Sequence, residues 1–248
     1  MDSLELTDQD PLEMLYDSVK AQRRLISGFG GNPKVPKEKF LDAQNPKHEL
    51  LNFAACDAEL PDQTDLCEAY ILTGSASSVY EDLQWIRDLE AFVRSLHQQK
   101  IPTVGICFGH QLLAQALGGE TLKSPKGWGV GVAHHRVVVN KDWMIPKVEE
   151  VKVLVSHQDQ VTKLPPQAQR ILQSEFCPNA MFQLGEHIIG CQGHPEFLPE
   201  YSHALMEMRK GKMPEKVRQA GLDSHTKNTD LGTIPIWIEN FLKSHRKP

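Results

Sequence analysis

One segment, residues 101–119, constrains the fold of this chain more than any other: "IPTVGICFGHQLLAQALGG". It begins with a continuously apolar run, which is typical of a central strand in a parallel sheet. It continues as an apolar helical pattern that ends in Gly118 and Gly119, and glycine commonly follows the last turn of a helix. A strand that leads directly into a helix is the repeating unit of α/β folds, so we expect a parallel sheet.

The preceding segments extend this alternation of strands and helices. Strands are expected within "HELLNFAACDAELP" and at residues 69–73, and the segment "DLQWIRDLEAFVRSLHQQK" carries apolar side chains at spacings of three or four, as an amphipathic helix does. The order strand, helix, strand, helix predicts a parallel sheet with helices on both of its faces.

The second half of the chain shows a different pattern. Strand candidates follow one another closely in "HHRVVVN", "VKVLVSHQ", "QRILQSE" and "AMFQLGEHIIGCQGHPEF", which predicts an antiparallel extension of the sheet, and the segment from residue 199 onward is mainly helical. Neither a repeat nor a Pro/Ser-rich linker divides the 248 residues. We therefore predict one domain over residues 1–248, with residues 1–11 disordered and residues 12–48 as an N-terminal edge of undefined structure.

Composition excludes several classes of partner. The net charge is −5 and Lys and Arg do not cluster, so nucleic acid is not an expected partner. The chain carries no apolar stretch of membrane-spanning length, and its first residues are acidic and polar, which predicts a cytoplasmic protein that does not enter a membrane. The five cysteines include no CxxC pair, which favours reduced thiols over disulfides or a structural zinc site.

The segment "GICFG", residues 105–109, has the spacing of a nucleophile elbow, in which a tight strand-to-helix turn requires small flanking residues. Such a turn lifts the Cys107 side chain out of the sheet and sets it at a helix N-terminus, where the thiolate is favoured. The backbone N–H of Phe108 then points toward an oxyanion formed on a substrate. The alternative is a structural cysteine buried at the end of a strand.

A second segment, "GCQGHPEF", offers a base for such a thiol. His194 and Glu196 are two residues apart, and Pro195 favours an extended backbone at His194, so both side chains can lean the same way. The carboxylate would orient the imidazole while the second ring nitrogen faces Cys107. Alone, this segment is equally compatible with a polar turn after a strand; the two segments together are harder to obtain by chance.

Together, "VGICFGHQLLAQALGG" and "GCQGHPEF" resemble the class I glutamine amidotransferase family, from about residue 50 to residue 197 and more loosely to the C-terminal helix. The resemblance implies a flavodoxin-like α/β fold, a three-layer sandwich with a mostly parallel central sheet extended by antiparallel strands. It also implies hydrolysis of a γ-glutamyl amide through a cysteine thioester, with Cys107 as nucleophile, His194 as general base and acid, and Glu196 as the group that orients the histidine. No metal or organic cofactor is expected.

The resemblance also implies the surroundings of the substrate. The segment "LTGSASS" corresponds to the family's glycine loop, so the Ser75 N–H, beside Gly74, would supply a second oxyanion donor. Residues expected to line the glutamine pocket are Gln111, Ser156, His157, Gln158 and Asp159. In the loop, Ser75 and Ala76 replace the glycine and proline common in synthase-linked members. This departure is similar to the stand-alone branch, which includes γ-glutamyl peptidases and proteins resembling the amidotransferase half of GMP synthase.

Three hypotheses about function remain open. The first is a stand-alone amidase that acts on glutamine or another small γ-glutamyl compound. The second is a glutaminase subunit that supplies ammonia to a separate synthase, because this chain contains neither an SGGxDS loop nor a P-loop. The third is a catalytically silent binding or regulatory protein of the same fold, although Cys107, His194 and Glu196 are all present.

Two further features are interpreted as structural. The segment "GWGVGV" does not lie between a strand and a helix, so we expect a bent loop near the active-site rim instead of a dinucleotide site. His134 and His135 are neighbours on a predicted strand and would point to opposite faces, which argues against joint metal ligation.

Overall fold

The computed structural model describes residues 26–28, 51–226 and 232–245. The predictions of disorder over residues 1–11 and of an undefined edge over residues 12–48 lie outside the described residues, apart from one short strand at 26–28. The prediction of one domain over the whole chain likewise stays a prediction.

A nine-stranded mixed sheet, in the order β2-β1-β3-β4-β11-β10-β9-β6-β7, organises the part of the chain that the structure describes. A separate pair, β5 with β8, lies beside it. The strands are β1 (Ile26–Gly28), β2 (Leu51–Phe53), β3 (Tyr70–Leu72), β4 (Thr103–Ile106), β5 (Glu120–Lys123), β6 (Gly129–Val137), β7 (Glu150–His157), β8 (Asp159–Lys163), β9 (Gln169–Gln173), β10 (Met181–Leu184) and β11 (Ile188–Cys191).

The centre of the sheet is parallel and its flanks are antiparallel. Strand β4 pairs in parallel with β3 on one side and with β11 on the other. The other pairings of the described strands are antiparallel, including those of β1. The predicted α/β fold with an antiparallel extension is confirmed, but the antiparallel share is larger than expected. Short turns, which join antiparallel neighbours, connect several strands of the second half, whereas a parallel neighbour needs a long crossover.

Helices cover both faces of this sheet. They are α1 (Gln84–Gln98), α2 (Phe108–Ala116), α3 (Pro199–Met208), α4 (Glu215–Ser224) and α5 (Thr233–Lys243). On β3, Tyr70 and Leu72 belong to the core that contains the apolar faces of α1 and α2, whereas Ile71 belongs to the core that contains α5. Because successive strand residues point to opposite faces, these two cores lie on opposite sides of the sheet. The predicted three-layer sandwich is therefore confirmed.

The glycine-rich segment at residues 127–132 differs from the sequence prediction. Its second half begins strand β6, so the expected bent loop is wrong for residues 129–132. Gly131 has φ +79°, and a Cβ at this position would lie 2.5 Å from the carbonyl oxygen of Gly221 in α4. The glycine is therefore explained by close packing between a strand and a helix, a reason that the sequence pattern does not reveal.

The two neighbouring histidines lie on opposite faces of β6 as predicted. His134 is exposed and its Nδ1 lies 2.8 Å from Oε1 of Glu150, whereas His135 is buried. Over the described ranges, His, Cys, Asp and Glu side chains do not form a group of three that would hold a metal ion. In those same ranges no helix combines the length and the apolar character needed to span a bilayer.

Candidate active site

The turn between β4 and α2 is as tight as the spacing of its glycines predicts. A Cβ at Gly105 would lie 2.5 Å from the carbonyl oxygen of Gly109, and a Cβ at Gly109 would lie 2.2 Å from that of Leu72. Neither position has space for a side chain. Between them, Cys107 adopts φ 52° and ψ −104°, a conformation that L residues rarely occupy.

Backbone hydrogen bonds hold Cys107 in this conformation. Its N–H donates to the carbonyl of Cys191 at the end of β11 (2.9 Å), and its own carbonyl accepts from the N–H of Gln111 in the first turn of α2 (3.1 Å). Cys107 is therefore the residue from which α2 starts. The positive end of the helix dipole stabilises negative charge at this place.

His194 follows β11 and is anchored to β7. Its N–H donates to the carbonyl of Leu154 (2.7 Å), and a Cβ at Gly193 would lie 2.5 Å from Cγ1 of Val153. The segment therefore passes so close to β7 that glycine is required before the histidine. This contact brings the His194 ring to the carboxyl end of β4, where Cys107 lies.

The imidazole of His194 has defined partners. Its Nδ1–H donates to Oε1 of Glu196 at 2.6 Å, and its ring stacks on Phe197 with 3.9 Å between centroids. The Cys107 sulfur lines the same pocket as this ring and favours its protonated form. With Nδ1 bonded to the carboxylate, Nε2 is the nitrogen available to the sulfur.

The charges around His194 give it a pKa unlike that of an ordinary buried histidine. Burial by itself would lower its pKa, but the Cys107 sulfur and the Glu196 carboxylate favour the protonated ring and raise the pKa of His194 to about 10. Burial raises the pKa of the Cys177 and Cys191 thiols to about 12, so those two thiols remain neutral at physiological pH.

A small pocket that is partly open to solvent lies over this pair. A Cβ at Gly74 would lie 3.2 Å from Cε1 of His194 and 3.8 Å from Cβ of Cys107, so glycine keeps the approach to both side chains open. The residues that line the pocket are Gly74, Ser75, Cys107, Ser156, His194, Phe197, Leu205 and Arg209.

Gln111, expected in the pocket, is buried and is not part of the pocket lining. Its amide nitrogen donates to the carbonyl of Asp159 (2.9 Å) and to Oε1 of Gln192 (3.0 Å). Gln192 is fully buried, and its amide nitrogen lies 3.7 Å from the sulfur of Cys107. The bond from Gln111 thus orients the amide of Gln192 so that its N–H group faces the sulfur.

The predicted pocket segment, residues 156–159, contributes one residue to the lining. Ser156 lines the pocket, and its hydroxyl accepts a hydrogen bond from Nη1 of Arg209 at 2.6 Å. His157 is buried, its Nδ1 lies 3.0 Å from the carbonyl oxygen of Asp159, and burial lowers its pKa to about 3, so the ring is neutral. Gln158 is half-buried, and its carbonyl accepts from the Ser124 N–H at 2.9 Å.

Asp159 connects this segment to the loop after β3. Its two carboxylate oxygens accept hydrogen bonds from the hydroxyls of Ser78 (2.5 Å) and Tyr80 (2.9 Å). The same loop carries Gly74 and Ser75 into the pocket, so Asp159 fixes the loop instead of lining the pocket. Phe108, expected to supply an N–H, is the first residue of α2, and its buried ring packs on Trp85.

Sequence reasoning missed four residues that contact the pocket or the nucleophile: Gln192, Phe197, Leu205 and Arg209. Gln192 and Phe197 stand within the segment "GCQGHPEF", where a polar residue at the end of an apolar strand was an available signal. Leu205 lies in α3 and Arg209 follows it. A helical pattern alone does not indicate which of its residues face a pocket formed by distant segments.

With this geometry in hand, comparison with known families identifies the chain. The family model for class I glutamine amidotransferases matches residues 47–209, which is more than half of the sequence. The chain therefore belongs to the class I glutamine amidotransferase family. The matched range begins before β2 and ends one residue after α3.

Two relatives illustrate the range of similar proteins. The chain is 31% identical over 205 residues to gamma-glutamyl peptidase 3 of Arabidopsis thaliana, a match that covers 77% of this chain and 81% of the relative. It is 36% identical over 102 residues to a glutamine-hydrolysing GMP synthase component of Archaeoglobus fulgidus, covering 41% of this chain and 55% of the relative. The longer match is thus to a peptidase.

A solved structure shares the fold. The crystal structure of a glutamine amidotransferase from Thermotoga maritima superposes with a TM-score of 0.67 at 21% identity, covering 77% of this chain and 85% of the other. At this identity the likeness shows the α/β architecture alone.

Proposed function

We propose that this chain is a stand-alone cysteine hydrolase of γ-glutamyl amides. The observation that carries the proposal is the arrangement of three side chains: Cys107 on a strained turn at a helix N-terminus, His194 in the same pocket lining, and Glu196 at 2.6 Å from the histidine. A nucleophile, a base and an orienting carboxylate in this order form a catalytic triad. The match to gamma-glutamyl peptidase 3 over most of both chains supports the γ-glutamyl substrate class.

In the proposed acylation step, the Cys107 thiolate attacks the carbonyl carbon of the γ-amide. The negative charge that develops on the carbonyl oxygen is stabilised by the backbone N–H groups of Phe108 and Ser75. The His194 imidazolium gives its proton to the leaving nitrogen, the C–N bond breaks, and a γ-glutamyl thioester remains on Cys107. Glu196 holds the ring orientation and stabilises its positive charge.

In the proposed deacylation step, neutral His194 accepts a proton from water and the resulting hydroxide attacks the thioester carbonyl. The C–S bond then breaks, glutamate or its derivative leaves, and the thiolate and imidazolium are restored. The proposed cycle uses no metal or organic cofactor. A free nucleophilic thiol is compatible with the reducing cytoplasm, which remains the proposed location.

The direct test is turnover by the isolated chain. L-glutamine, γ-glutamylglycine and glutathione are incubated separately with the wild-type protein, and released glutamate, amine and ammonia are measured. Cleavage of a γ-glutamyl dipeptide supports the proposed hydrolase. Binding of glutamine without cleavage of any of the three substrates would favour the silent-binder hypothesis.

A second candidate is a glutaminase subunit that supplies ammonia to a separate synthase. The match to the GMP synthase component of Archaeoglobus fulgidus favours this candidate, although it covers less than half of the chain. An ammonia-supplying protein of this kind is expected to release ammonia from glutamine and to leave γ-glutamyl dipeptides uncleaved. The same substrate panel therefore separates the two candidates.

A further inference from the structure

Arg209 occupies a position in the pocket that the proposed mechanism does not use. It follows α3 and lines the pocket together with Cys107 and His194, from which it is separated by long stretches of sequence. The side chain is half-buried, and its Nη1 donates to the hydroxyl of Ser156 at 2.6 Å. A guanidinium group beside a reaction centre is a candidate for binding a charged part of the substrate.

The guanidinium is oriented by a second contact. Its central carbon lies 5.3 Å from the centroid of the Trp128 ring, at a distance typical of a cation–π interaction. Trp128 comes from the segment before β6 and Ser156 from β7, so two different elements hold the side chain. The bond to Ser156 uses one of the five N–H donors of the guanidinium.

The charge of Arg209 lacks a carboxylate partner in the part of the chain that the structure describes. None of the ion pairs found there, at a limit of 4.0 Å, includes Arg209. Arg218, by contrast, pairs with both Glu207 and Glu215. Glu196, which lies two residues after His194, is already bonded to that histidine. The Cys107 sulfur favours the charged form of Arg209 but forms no ion pair with it, so a bound carboxylate can offset the remaining cost of burying this cation.

The remaining pocket walls indicate which anion fits. Phe197 and Leu205 are apolar, and Gly74 leaves the approach to Cys107 open. A ligand placed here presents an uncharged carbonyl to the sulfur and a charged group to the guanidinium. Planar carboxylates match the guanidinium fork, since both groups form two parallel hydrogen bonds.

We infer that Arg209 binds a carboxylate of the substrate and thereby selects γ-glutamyl compounds over simple amides. The inference rests on the proposed function and adds a specificity residue to it. A γ-glutamyl dipeptide offers two such carboxylates: the α-carboxylate of the glutamyl group and the carboxylate of the amine-side residue. The chemistry of recognition is the same for both, and the substrates below distinguish them.

The test combines enzyme variants with substrates that lack one carboxylate. The variants are Arg209→Met, Arg209→Lys and the control Lys210→Met, which removes an exposed cation next to Arg209 and outside the pocket lining. L-glutamine is compared with its α-amide, and γ-glutamylglycine is compared with γ-glutamylglycinamide. For each pair, kcat/KM and its division into kcat and KM are measured.

We expect Arg209→Met to lower kcat/KM by about 10- to 100-fold for the substrate whose carboxylate it binds, mainly through KM, because a charge-assisted hydrogen bond is lost. The matching amide substrate should change little. Arg209→Lys should recover part of the loss, and Lys210→Met should behave like wild type. Loss for every substrate except glutamine α-amide assigns the α-carboxylate, because the other three substrates carry it. Loss for γ-glutamylglycine alone assigns the amine-side carboxylate.

An equal loss for all four substrates, or no loss for any, would overturn the inference, because neither result involves a carboxylate. Binding provides a readout that does not need turnover. In a Cys107→Ala background, calorimetry should show that L-glutamine binds about 10- to 100-fold more weakly when Arg209 is also Met, whereas its α-amide does not. This binding measurement tests the assignment of the α-carboxylate. It remains informative if the wild type cleaves none of the substrates.

Discussion

The parallel strands β4 and β11 lie side by side and both lead to a cysteine, yet the two sulfurs meet different surroundings. Ile106, the last residue of β4, is paired with Cys191 of β11, and Cys107 follows one residue later. Cys191 continues the extended strand, whereas Cys107 adopts φ 52° at the start of α2. Both cysteines belong to the same apolar core, but Cys107 also lines the pocket, whereas Cys191 does not.

This difference shows that burial alone does not decide the chemistry of these cysteines. Both are largely buried, at 8% exposure for Cys107 and 2% for Cys191. What differs is the neighbouring charge: Cys107 lies beside the imidazole whose pKa is raised to about 10, and burial raises the pKa of Cys191 itself to about 12. The change of backbone direction at Cys107 therefore makes this residue a candidate nucleophile, whereas Cys191 remains a structural thiol.

The largest expected effect is the loss of turnover in Cys107→Ser. The hydroxyl of serine is a far weaker nucleophile in a site built for an ion pair, so kcat should fall by about 10⁴-fold or more while the fold persists. Cys191→Ser is the matched control: its turnover should stay near wild type, and its free energy of unfolding should drop by about 1–3 kcal/mol because a hydroxyl enters an apolar core. Steady-state kinetics and thermal unfolding measure these effects.

If Cys107→Ser retained the hydrolysis that the wild type performs, the assignment of the nucleophile would fail. If Cys191→Ser lost activity as completely, the contrast between the two strand ends would disappear.

Alkylation should separate the two thiols before any substitution is made. At pH 6, iodoacetamide should modify Cys107 at least about 100-fold faster than Cys191 or Cys177, because only a thiolate reacts and the two core thiols remain protonated. Peptide mapping at timed intervals gives the rate at each cysteine. Exposed Cys56 serves as a reference for solvent accessibility. Equal rates at Cys107 and Cys56 would argue that the neighbouring histidine does not activate the sulfur.

Glu196→Gln should have an intermediate effect. It leaves His194 in place and removes a charge that raises the pKa of the ring, so kcat should fall by about 10- to 1000-fold. The control is Glu150→Gln, which removes the carboxylate from the exposed pair with His134 and should leave turnover unchanged. A Glu196→Gln enzyme as active as the control would show that the carboxylate does not support His194.

The pH dependence of the wild type follows from the same raised pKa of His194. The ring is the proposed acid for the leaving nitrogen, so hydrolysis should be sustained below pH 10 and decline as the pH rises through about 10. In Glu196→Gln this alkaline decline should move to lower pH, because one of the charges that raise the pKa is gone. A decline at the same pH in both enzymes would assign it to a different group.

The smallest of these effects is expected for Gln192→Leu. Its amide faces the sulfur of Cys107, so its loss should slow hydrolysis and alkylation at pH 6 by about 10-fold through weaker stabilisation and positioning of the thiolate. Gln183→Leu is the control, a buried glutamine of β10 whose amide bonds to Gly185 and to the Trp143 indole and not to the sulfur. Both variants should lose stability, but only Gln192→Leu should change the alkylation rate of Cys107.

The sequence predicts best those features that depend on neighbours along the chain. The spacing of Gly105, Cys107 and Gly109 predicts the turn because the crowding in that turn is local. His194 and Glu196 are two residues apart, so their pairing also follows from local geometry. The three-layer arrangement follows from the alternation of strands and helices, although the antiparallel share of the sheet exceeds what that alternation indicates.

Contacts between distant segments account for what the sequence does not predict. Arg209 reaches Ser156 across 53 positions, and the helical pattern of α3 does not reveal this partner. Gln111 is expected in the pocket, but its amide is bonded to Asp159 and Gln192 and does not line the pocket. Gly131 allows β6 to pack closely against α4. From the sequence alone, the glycines of this segment indicate a bend.

The central claim is that Cys107 carries the γ-glutamyl group during turnover. The most direct measurement is acid quenching of the wild-type protein within its first turnovers of a cleaved γ-glutamyl substrate, followed by peptide mass spectrometry under conditions that preserve thioesters. The proposed mechanism predicts one γ-glutamyl group on the peptide that contains Cys107 and none on the peptide that contains Cys191, with more label in Glu196→Gln if deacylation slows more than acylation. Sustained turnover with the γ-glutamyl group on another residue would contradict the claim.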